Sequence, residues 1–238
     1  MKKILASMML LCVFATASYS MDPVLDVEVG NKGITVPDVQ GYVGRFAPED
    51  PLMEHFSLFI PKGFTLKGVY INDEFNSAFQ AGVEQPLTDY LLIAAADYFE
   101  DKVMDAEMFM ELKQEVRDVD FDSREVTEAM NNLNDEAVSN FNSQSDINLS
   151  DMTSGVNPIG IVDETENSIV SLVIINVDGK VDGKKITVSQ VATTCLLRVK
   201  GKLFSLYCYD EYDGTKASID NISKRSVDIT NWILATNS

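Results

Sequence analysis

Histidine and cysteine are scarce in this 238-residue chain, which contains one histidine and three cysteines. The single histidine, His55, would have to serve any Ser-His-Asp or Cys-His arrangement alone. The sequence also lacks the short motifs of serine hydrolases, zinc proteases, thiol–disulfide enzymes and phosphate-binding loops. Zinc sites made of histidine and thiolate need several such ligands together. These shortages argue against the commonest hydrolytic, redox and zinc chemistries.

Basic residues are also few. Lysine and arginine number 19 against 37 acidic residues, which gives a formal net charge of −18. A field of this sign repels the phosphates of nucleic acids and anionic membrane surfaces. We therefore expect no nucleic-acid partner. The acidic surface should keep the protein soluble and attract cations or basic partners.

Long hydrophobic runs are missing except at the N-terminus, where residues 4–15 follow the positive charges of Lys2 and Lys3. This run is too short to cross a hydrocarbon core of about 30 Å, which takes about 20 residues. Small residues come next, and they suit cleavage by signal peptidase after Ala17 or after Ser20. The pattern is typical of a secretory signal peptide.

We therefore predict that residues 1–20 are a cleavable signal peptide and that residues 21–238 form a single domain. The protein is expected to be exported, to the periplasm in a Gram-negative cell and into the medium otherwise. No membrane span is predicted after cleavage, because no later segment holds a long enough apolar run. An apolar content of 45% is sufficient for one packed core.

Two cysteines, Cys195 and Cys208, lie beyond the signal, and export would permit a disulfide between them. If the chain turns at 200–201, Cys195 pairs with Leu206 and Thr193 pairs with Cys208. The two cysteines then lie diagonally, with Cβ atoms about 7 Å apart, whereas a disulfide needs about 4 Å. The spacing favours two buried thiols, and a disulfide formed after a register shift is the alternative.

Periodicity and turn residues divide the first half of the chain into strands and helices. Asp50 can cap a helix that begins at Pro51, and Asp105 and Ser123 can cap two further amphipathic helices. Strands are predicted at 34–37, 41–43, 64–71 and 90–98, a polar loop at 72–88, and a long polar, mobile loop at 138–158.

The second half begins with a nearly continuous apolar run at 168–177, which predicts a buried strand. Turn residues fill 178–185. The next strand, 186–199, changes the phase of its alternation, and this predicts a bulge near 189–190.

The C-terminus is predicted to be a hairpin followed by a long helix. A turn at 200–201 leads into a strand at 203–210, and Thr215 precedes an amphipathic helix that carries Trp232 beside its apolar stripe. Hairpins and helices without regular βαβ alternation indicate an α+β fold with a largely antiparallel sheet covered by amphipathic helices.

Acidic clusters provide the only candidate metal ligands. Asp118, Asp120 and Asp122 resemble the opening of a calcium loop, but an EF-hand would require glycine at position 123 and glutamate at position 129. The chain has Ser123 and Ala129 there. A second cluster contains Asp210 and Asp213. Calcium is the one cofactor that these carboxylates could hold, and capping or solvated charge is the alternative.

Short segments of the chain are similar to an uncharacterised family of exported bacterial proteins. The shared features are I-x-x-P at 34–37, G-Y-V at 41–43, a G-K-L strand that starts at 201 and a terminal helix with Trp232. That family has no established activity, and so the resemblance implies export and architecture only. Strands closed by a terminal helix also resemble the PsbP/Mog1-like α+β fold.

We conclude from the sequence that the mature chain is a non-catalytic binding protein of the cell envelope, with a protein partner or a small ligand as its target. Two alternatives stay open. One is a carboxylate-based hydrolase, which needs only two suitably spaced acids. The other is a calcium-stabilised structural module.

Overall fold

The computed structural model describes residues 23–57, 60, 63–83, 87–119, 128, 138–139, 142–143, 149–181 and 183–238. Within these ranges the strands are β1 (Pro23–Val29), β2 (Lys32–Pro37), β3 (Tyr42–Arg45), β4 (Phe64–Asn72), β5 (Tyr90–Ala96), β6 (Leu149–Glu164), β7 (Ser168–Val181), β8 (Lys184–Val199) and β9 (Lys202–Glu211). The helices are α1 (Pro51–Ser57), α2 (Asp73–Gln80), α3 (Asp97–Glu100), α4 (Ala106–Asp118) and α5 (Lys216–Thr236).

Seven strands form one antiparallel sheet in the order β3-β4-β5-β9-β8-β7-β6, and β1 and β2 form a separate hairpin. The β8–β9 hairpin leads directly into the long helix α5. The predicted α+β fold with a largely antiparallel sheet, a C-terminal hairpin and a terminal helix is therefore confirmed.

One face of the sheet is covered by α5 together with the β1–β2 hairpin. The helix contributes Ile222, Ile229 and Ile233 to this core, as its sequence periodicity predicts. Burial of an isoleucine side chain stabilises the fold by about 1.5–3 kcal/mol. At the end of the helix, the Asn237 side chain donates to the Thr35 carbonyl and accepts from the Thr35 amide, both at 2.8 Å. These bonds attach the helix terminus to β2.

The opposite face is covered by two shorter helices. Leu52, Met53 and Phe56 of α1 pack on the β4–β5 part of the sheet, and Phe109 of α4 packs with Leu203 near the β8–β9 turn. Both helices begin at the predicted caps. The Asp50 carboxylate accepts from the Leu52 amide and the Asp105 carboxylate accepts from the Met108 amide, each at 2.9 Å.

Two predicted loops are wrong. Within 72–88 the chain forms helix α2, which Asn72 caps by accepting from the Phe75 amide at 2.7 Å. An Asn cap followed by acidic residues is a helix-start signal, and Phe75 and Phe79 stack on one face of α2, although no side chain of this helix is fully buried. Within 138–158, residues 149–158 belong to the edge strand β6. Serine, asparagine, glycine and proline are tolerated there because an edge strand pairs on one side only.

The predicted bulge near 189–190 is also wrong, because β8 keeps one continuous register with both β7 and β9. Ile186 and Val188 lie in the part of β8 that extends beyond β9, and there the strand is half-buried rather than buried on one face. The predicted turn at 178–185 is narrower than expected, since β7 continues to Val181 and β8 starts at Lys184.

Three predictions lie outside the described residues. They are the signal peptide at 1–20, the helix capped by Ser123, and the candidate ligands Asp120 and Asp122. In the part of the chain that is described, no helix combines the length and the apolar content that a membrane crossing requires.

The thiols of Cys195 and Cys208 are free and fully buried beneath α5. The register is the predicted one, with Cys195 opposite Leu206 and Thr193 opposite Cys208. Burial raises the pKa of the Cys195 thiol, and a protonated thiol is a poor nucleophile.

We expect both cysteines to resist alkylation by iodoacetamide in the folded protein and to react fully in denaturant. Mass spectrometry of the peptides that contain Cys195 and Cys208 measures this directly. A peptide pair linked by a disulfide, or rapid labelling of the native protein, would contradict the buried-thiol assignment.

Candidate functional site

A cavity of about 340 Å³ opens at the end of the sheet where β8 turns into β9. We call it the turn cleft. Its lining residues are Asn31, Lys32, Glu100, Asp101, Val103, Lys200, Gly201 and Lys202. They come from the β1–β2 turn, the segment after α3 and the β8–β9 turn, three segments that are far apart in the sequence. Small-molecule sites commonly have volumes of about 300–1,000 Å³.

Short contacts hold the three segments together. The Met104 amide donates to the Gly201 carbonyl at 2.8 Å, and the Lys200 ammonium donates to the Gly33 carbonyl at 2.7 Å. Gly30 (φ 58°) packs so tightly that a Cβ there would lie 1.9 Å from the Glu100 carbonyl oxygen. The turn cleft is therefore formed by directly contacting backbone segments.

Lys202 is the buried cation of the turn cleft, with only 4% of its surface exposed. Its ammonium donates to the carbonyl of Glu100 and, at 3.0 Å, to the carbonyl of Lys102. These carbonyls lie at the C-terminal end of α3, where a cation is favoured by the helix dipole. No carboxylate among the described residues pairs with Lys202, because the Glu100 carboxylate lies 2.6 Å from the Lys67 ammonium. Two backbone carbonyls are thus the described groups that solvate the positive charge of Lys202.

Lysines outnumber acids in the lining of the turn cleft, in contrast to the chain as a whole. Lys32, Lys200 and Lys202 face two acids, Glu100 and Asp101, whereas the chain carries 19 basic and 37 acidic residues. Nearby charges of one sign in a partly enclosed site concentrate ions of the other sign. The local excess of lysine therefore favours an anion.

Lys200 has an unfavourable backbone conformation. It occupies the left-handed region with φ 49°, and Gly201 follows with φ 74°. Positive φ at both central residues is the geometry of a type I′ turn, which prefers asparagine or glycine at the first position. A left-handed residue with a long side chain costs about 1–2 kcal/mol. The surrounding structure has to hold such a residue in place, and the bond from the Lys200 ammonium to the Gly33 carbonyl contributes to this.

A second cluster of charged groups surrounds Arg225 of α5, on the face that α5 covers. Its guanidinium donates to the Asp89 carboxylate at 2.9 Å, to the Tyr42 hydroxyl, and to the Tyr209 carbonyl at 3.2 Å. The Tyr42 hydroxyl donates to Asp89 at 2.5 Å. Burial raises the pKa of Tyr42, so its hydroxyl stays protonated.

The Arg225 cluster joins α5 to β3, β9 and the start of β5. Burial opposes the charge of Arg225, but Tyr42 and Asp89 outweigh that effect and raise the pKa of Arg225 above its usual value. Both terminal guanidinium nitrogens already donate to protein groups. The cluster is therefore a structural ion pair rather than a ligand site.

Two candidate ligands of the second acidic cluster have separate partners. The Asp210 carboxylate lies 3.7 Å from Arg225, and burial raises its pKa while Arg225 partly offsets the rise. Asp213 accepts from the Thr215 amide at 2.8 Å and the Thr215 hydroxyl at 2.6 Å, which lowers the pKa of Asp213. The structure thus places Asp210 beside a guanidinium and Asp213 at the start of α5.

The remaining candidates lie apart from these two. Asp118, the last residue of α4, accepts from the Gln114 amide at 3.0 and 2.9 Å. In the described ranges, no three His, Cys, Asp or Glu side chains are grouped so that they could hold a metal ion. His55 lies on α1, where burial lowers its pKa. The sheet separates His55 from Cys195 and Cys208, which belong to the core under α5.

Sequence reasoning missed the turn cleft. Its signal was the pair of short turns, Gly30-Asn31 and Lys200-Gly201, and above all a lysine where a type I′ turn prefers asparagine. The sequence pattern predicted the turn at Lys200-Gly201, but it did not show that this turn lies next to the turn at Gly30-Asn31.

No protein-family model matches the chain, and no curated protein matches it. Among solved structures, the 1.9 Å crystal structure of the Saccharomyces cerevisiae Ran-binding protein Mog1p is similar to it. The two are 12% identical, the match covers 92% of this chain and 95% of that chain, and the TM-score is 0.34. A likeness of this degree supports no transfer of fold, function or site residues.

The packing of Gly30 predicts a specific cost of substitution. Gly30→Ala should lower the free energy of unfolding by about 2–4 kcal/mol, because it combines left-handed strain with a clash against the Glu100 carbonyl. Gly82→Ala is the matched control, since Gly82 has φ 68° and open space around its Cβ position. Denaturant unfolding measures both variants, and equal losses would show that the β1–β2 turn does not pack on α3 as described.

Proposed function

We propose that this chain is an exported, non-catalytic binding protein and that the turn cleft holds its small ligand. The observation that carries the proposal is the convergence of three distant segments around a concave space. The core does not explain that space, because the three hydrophobic clusters lie against the faces of the sheet. A pocket with few polar groups and some apolar surface is the usual form of a ligand site.

The lining supports binding of an amphipathic molecule. Val103 is 70% exposed and lies beside Gly201, where a Cβ would come within 3.4 Å of it. An exposed valine next to two lysines offers an apolar contact and a charged contact within one cleft. Burial of the apolar part of a ligand would contribute about 25 cal/mol per Å².

The lining also favours binding over catalysis. Among the described lining residues there is no serine, cysteine or histidine, and so this set offers no hydroxyl, thiol or imidazole nucleophile. The lysine ammonium groups of Lys200 and Lys202 donate to backbone carbonyls. The Glu100 carboxylate is paired with Lys67.

Val103→Trp should abolish ligand retention by filling the mouth of the turn cleft. The purified protein would be incubated with the small-molecule fraction of the cells that make it, washed and denatured, and the released compounds identified by mass spectrometry. Val83→Trp is the matched control, because Val83 is 59% exposed and does not line the cleft. We expect one compound to be retained by the native protein and by Val83→Trp, and to be lost from Val103→Trp.

Two results would count against the proposal. Retention of the same compounds by all three proteins would place binding elsewhere. Recovery of a compound in a chemically altered form would favour the carboxylate-based hydrolase.

The proposed export leads to a separate prediction about the N-terminus of the native protein. The native protein should begin just after Ala17 or Ser20 and be found in the envelope or the medium, because residues 1–20 have the pattern of a signal peptide. N-terminal sequencing of the protein from fractionated cells measures this. Recovery of an intact Met1 in the cytosolic fraction would refute export and leave the binding proposal standing.

A further inference from the structure

We infer that the turn cleft binds the oxyanion group, a phosphate or a carboxylate, of its small ligand, and that Lys32 and Lys200 are the residues that bind it. The inference rests on the proposed function, since it names the chemistry that the same cleft recognises. Three independent observations support it: the charge of the cleft, the state of its lysines and the strain in its turn.

The charge of Lys202 distinguishes this end of the sheet from the Arg225 cluster. Arg225 is surrounded by the carboxylates of Asp89 and Asp210, so its field is largely cancelled. Lys202 is more deeply buried than Arg225, and the hydrogen bonds described for its ammonium go to two carbonyl groups. A carbonyl solvates a cation without cancelling its charge, and the cleft therefore retains a positive field in an otherwise acidic protein.

Lys32 and Lys200 add their own positive charges to that field. Both line the cleft, and no described residue pairs with the ammonium of Lys32, which is exposed. Lys200 donates one hydrogen bond, to the Gly33 carbonyl. An ammonium group has three donors, and so both lysines keep donors for a ligand. Lysine binds phosphate as a point charge and does not require a planar partner.

The strain at Lys200 is explained by the same role. Asparagine would satisfy the type I′ turn at residues 200–201 at lower cost, but it would bring no cation to the mouth of the cleft. Asp101 is the one lining acid that has no described cationic partner, and it opposes an anion. Neutralising Asp101 should therefore tighten binding, whereas neutralising either lysine should weaken it.

The test measures the melting midpoint of the full protein with inorganic phosphate, sulfate or succinate at about 1–10 mM, against sodium chloride of equal ionic strength. At such low concentrations the general stabilisation by excluded salts is small, whereas a bound ion raises the midpoint by mass action. Phosphate and sulfate report a tetrahedral oxyanion, and succinate reports carboxylate. A larger shift with any of the three than with chloride supports the inference and identifies the group.

Four variants locate the site. Lys200→Asn relieves the left-handed strain but removes the hydrogen bond to the Gly33 carbonyl, so its melting midpoint without ligand should stay within about 2–4 °C of the native value, and it should bind the anion about tenfold more weakly by calorimetry. Lys32→Gln should weaken binding similarly, and Asp101→Asn should strengthen it. Lys184→Asn is the control for net charge, because Lys184 is an exposed lysine at the β7–β8 hairpin, and it should bind as the native protein does.

The inference is overturned if no oxyanion shifts the midpoint more than chloride does, or if Lys184→Asn weakens binding as much as Lys200→Asn. Its failure is distinguishable from failure of the proposed function. A neutral or cationic compound that is retained by the native protein and lost from Val103→Trp would leave the cleft as the binding site and refute only the anion.

Discussion

The fold depends on keeping both faces of one antiparallel sheet out of water. A single long helix and the β1–β2 hairpin cover one face, while α1 and α4 cover the other. Because α5 occupies its face along most of its length, the hairpin has to lie beside it, where Asn237 bonds to Thr35. This arrangement brings the β1–β2 turn to the same end of the sheet as the β8–β9 turn. The turn cleft is a geometric consequence of how the sheet is covered.

Three basic residues are buried in the described part of the chain, Lys113, Lys202 and Arg225. Arg225 and Lys202 are stabilised in opposite ways, and this difference affects the field around each of them. Arg225 holds α5 to the sheet with carboxylates on either side of it. A buried pair of this kind is costly to break but has little external field. The Lys202 ammonium donates to the carbonyls of Glu100 and Lys102, at and just beyond the C-terminal end of α3. No described carboxylate pairs with this ammonium, so its charge is not cancelled beside the cleft that Lys202 lines.

Local signals were sufficient for most elements of the fold. The α5 stripe, the caps Asp50 and Asp105 and the register of β8 with β9 all follow from residues that are close in sequence, and each is confirmed. The errors occurred where tertiary pairing overrides composition. Residues 149–158 look like a loop, and only pairing with β7 makes them a strand. Helix α2 has an Asn cap and places Phe75 and Phe79 on one face, so its signals were present, but they fell in a segment whose polar and turn-forming residues indicated a loop.

The turn cleft was beyond sequence reasoning for a different reason. Spacing along the chain cannot show that residues near 31, 101 and 201 meet, because their meeting depends on strand order and on which face the hairpin occupies. One residue in the sequence nevertheless indicated that this turn is unusual. Lysine is a poor choice for the first position of a type I′ turn, and a strained residue persists where the surrounding structure or the function requires it. In this hairpin Gly201 already provides the second turn position and β8 pairs regularly with β9, so the turn itself does not require lysine. The Lys200 ammonium instead attaches the β1–β2 hairpin through the Gly33 carbonyl, and its other two donors face the cleft that Lys202 also lines.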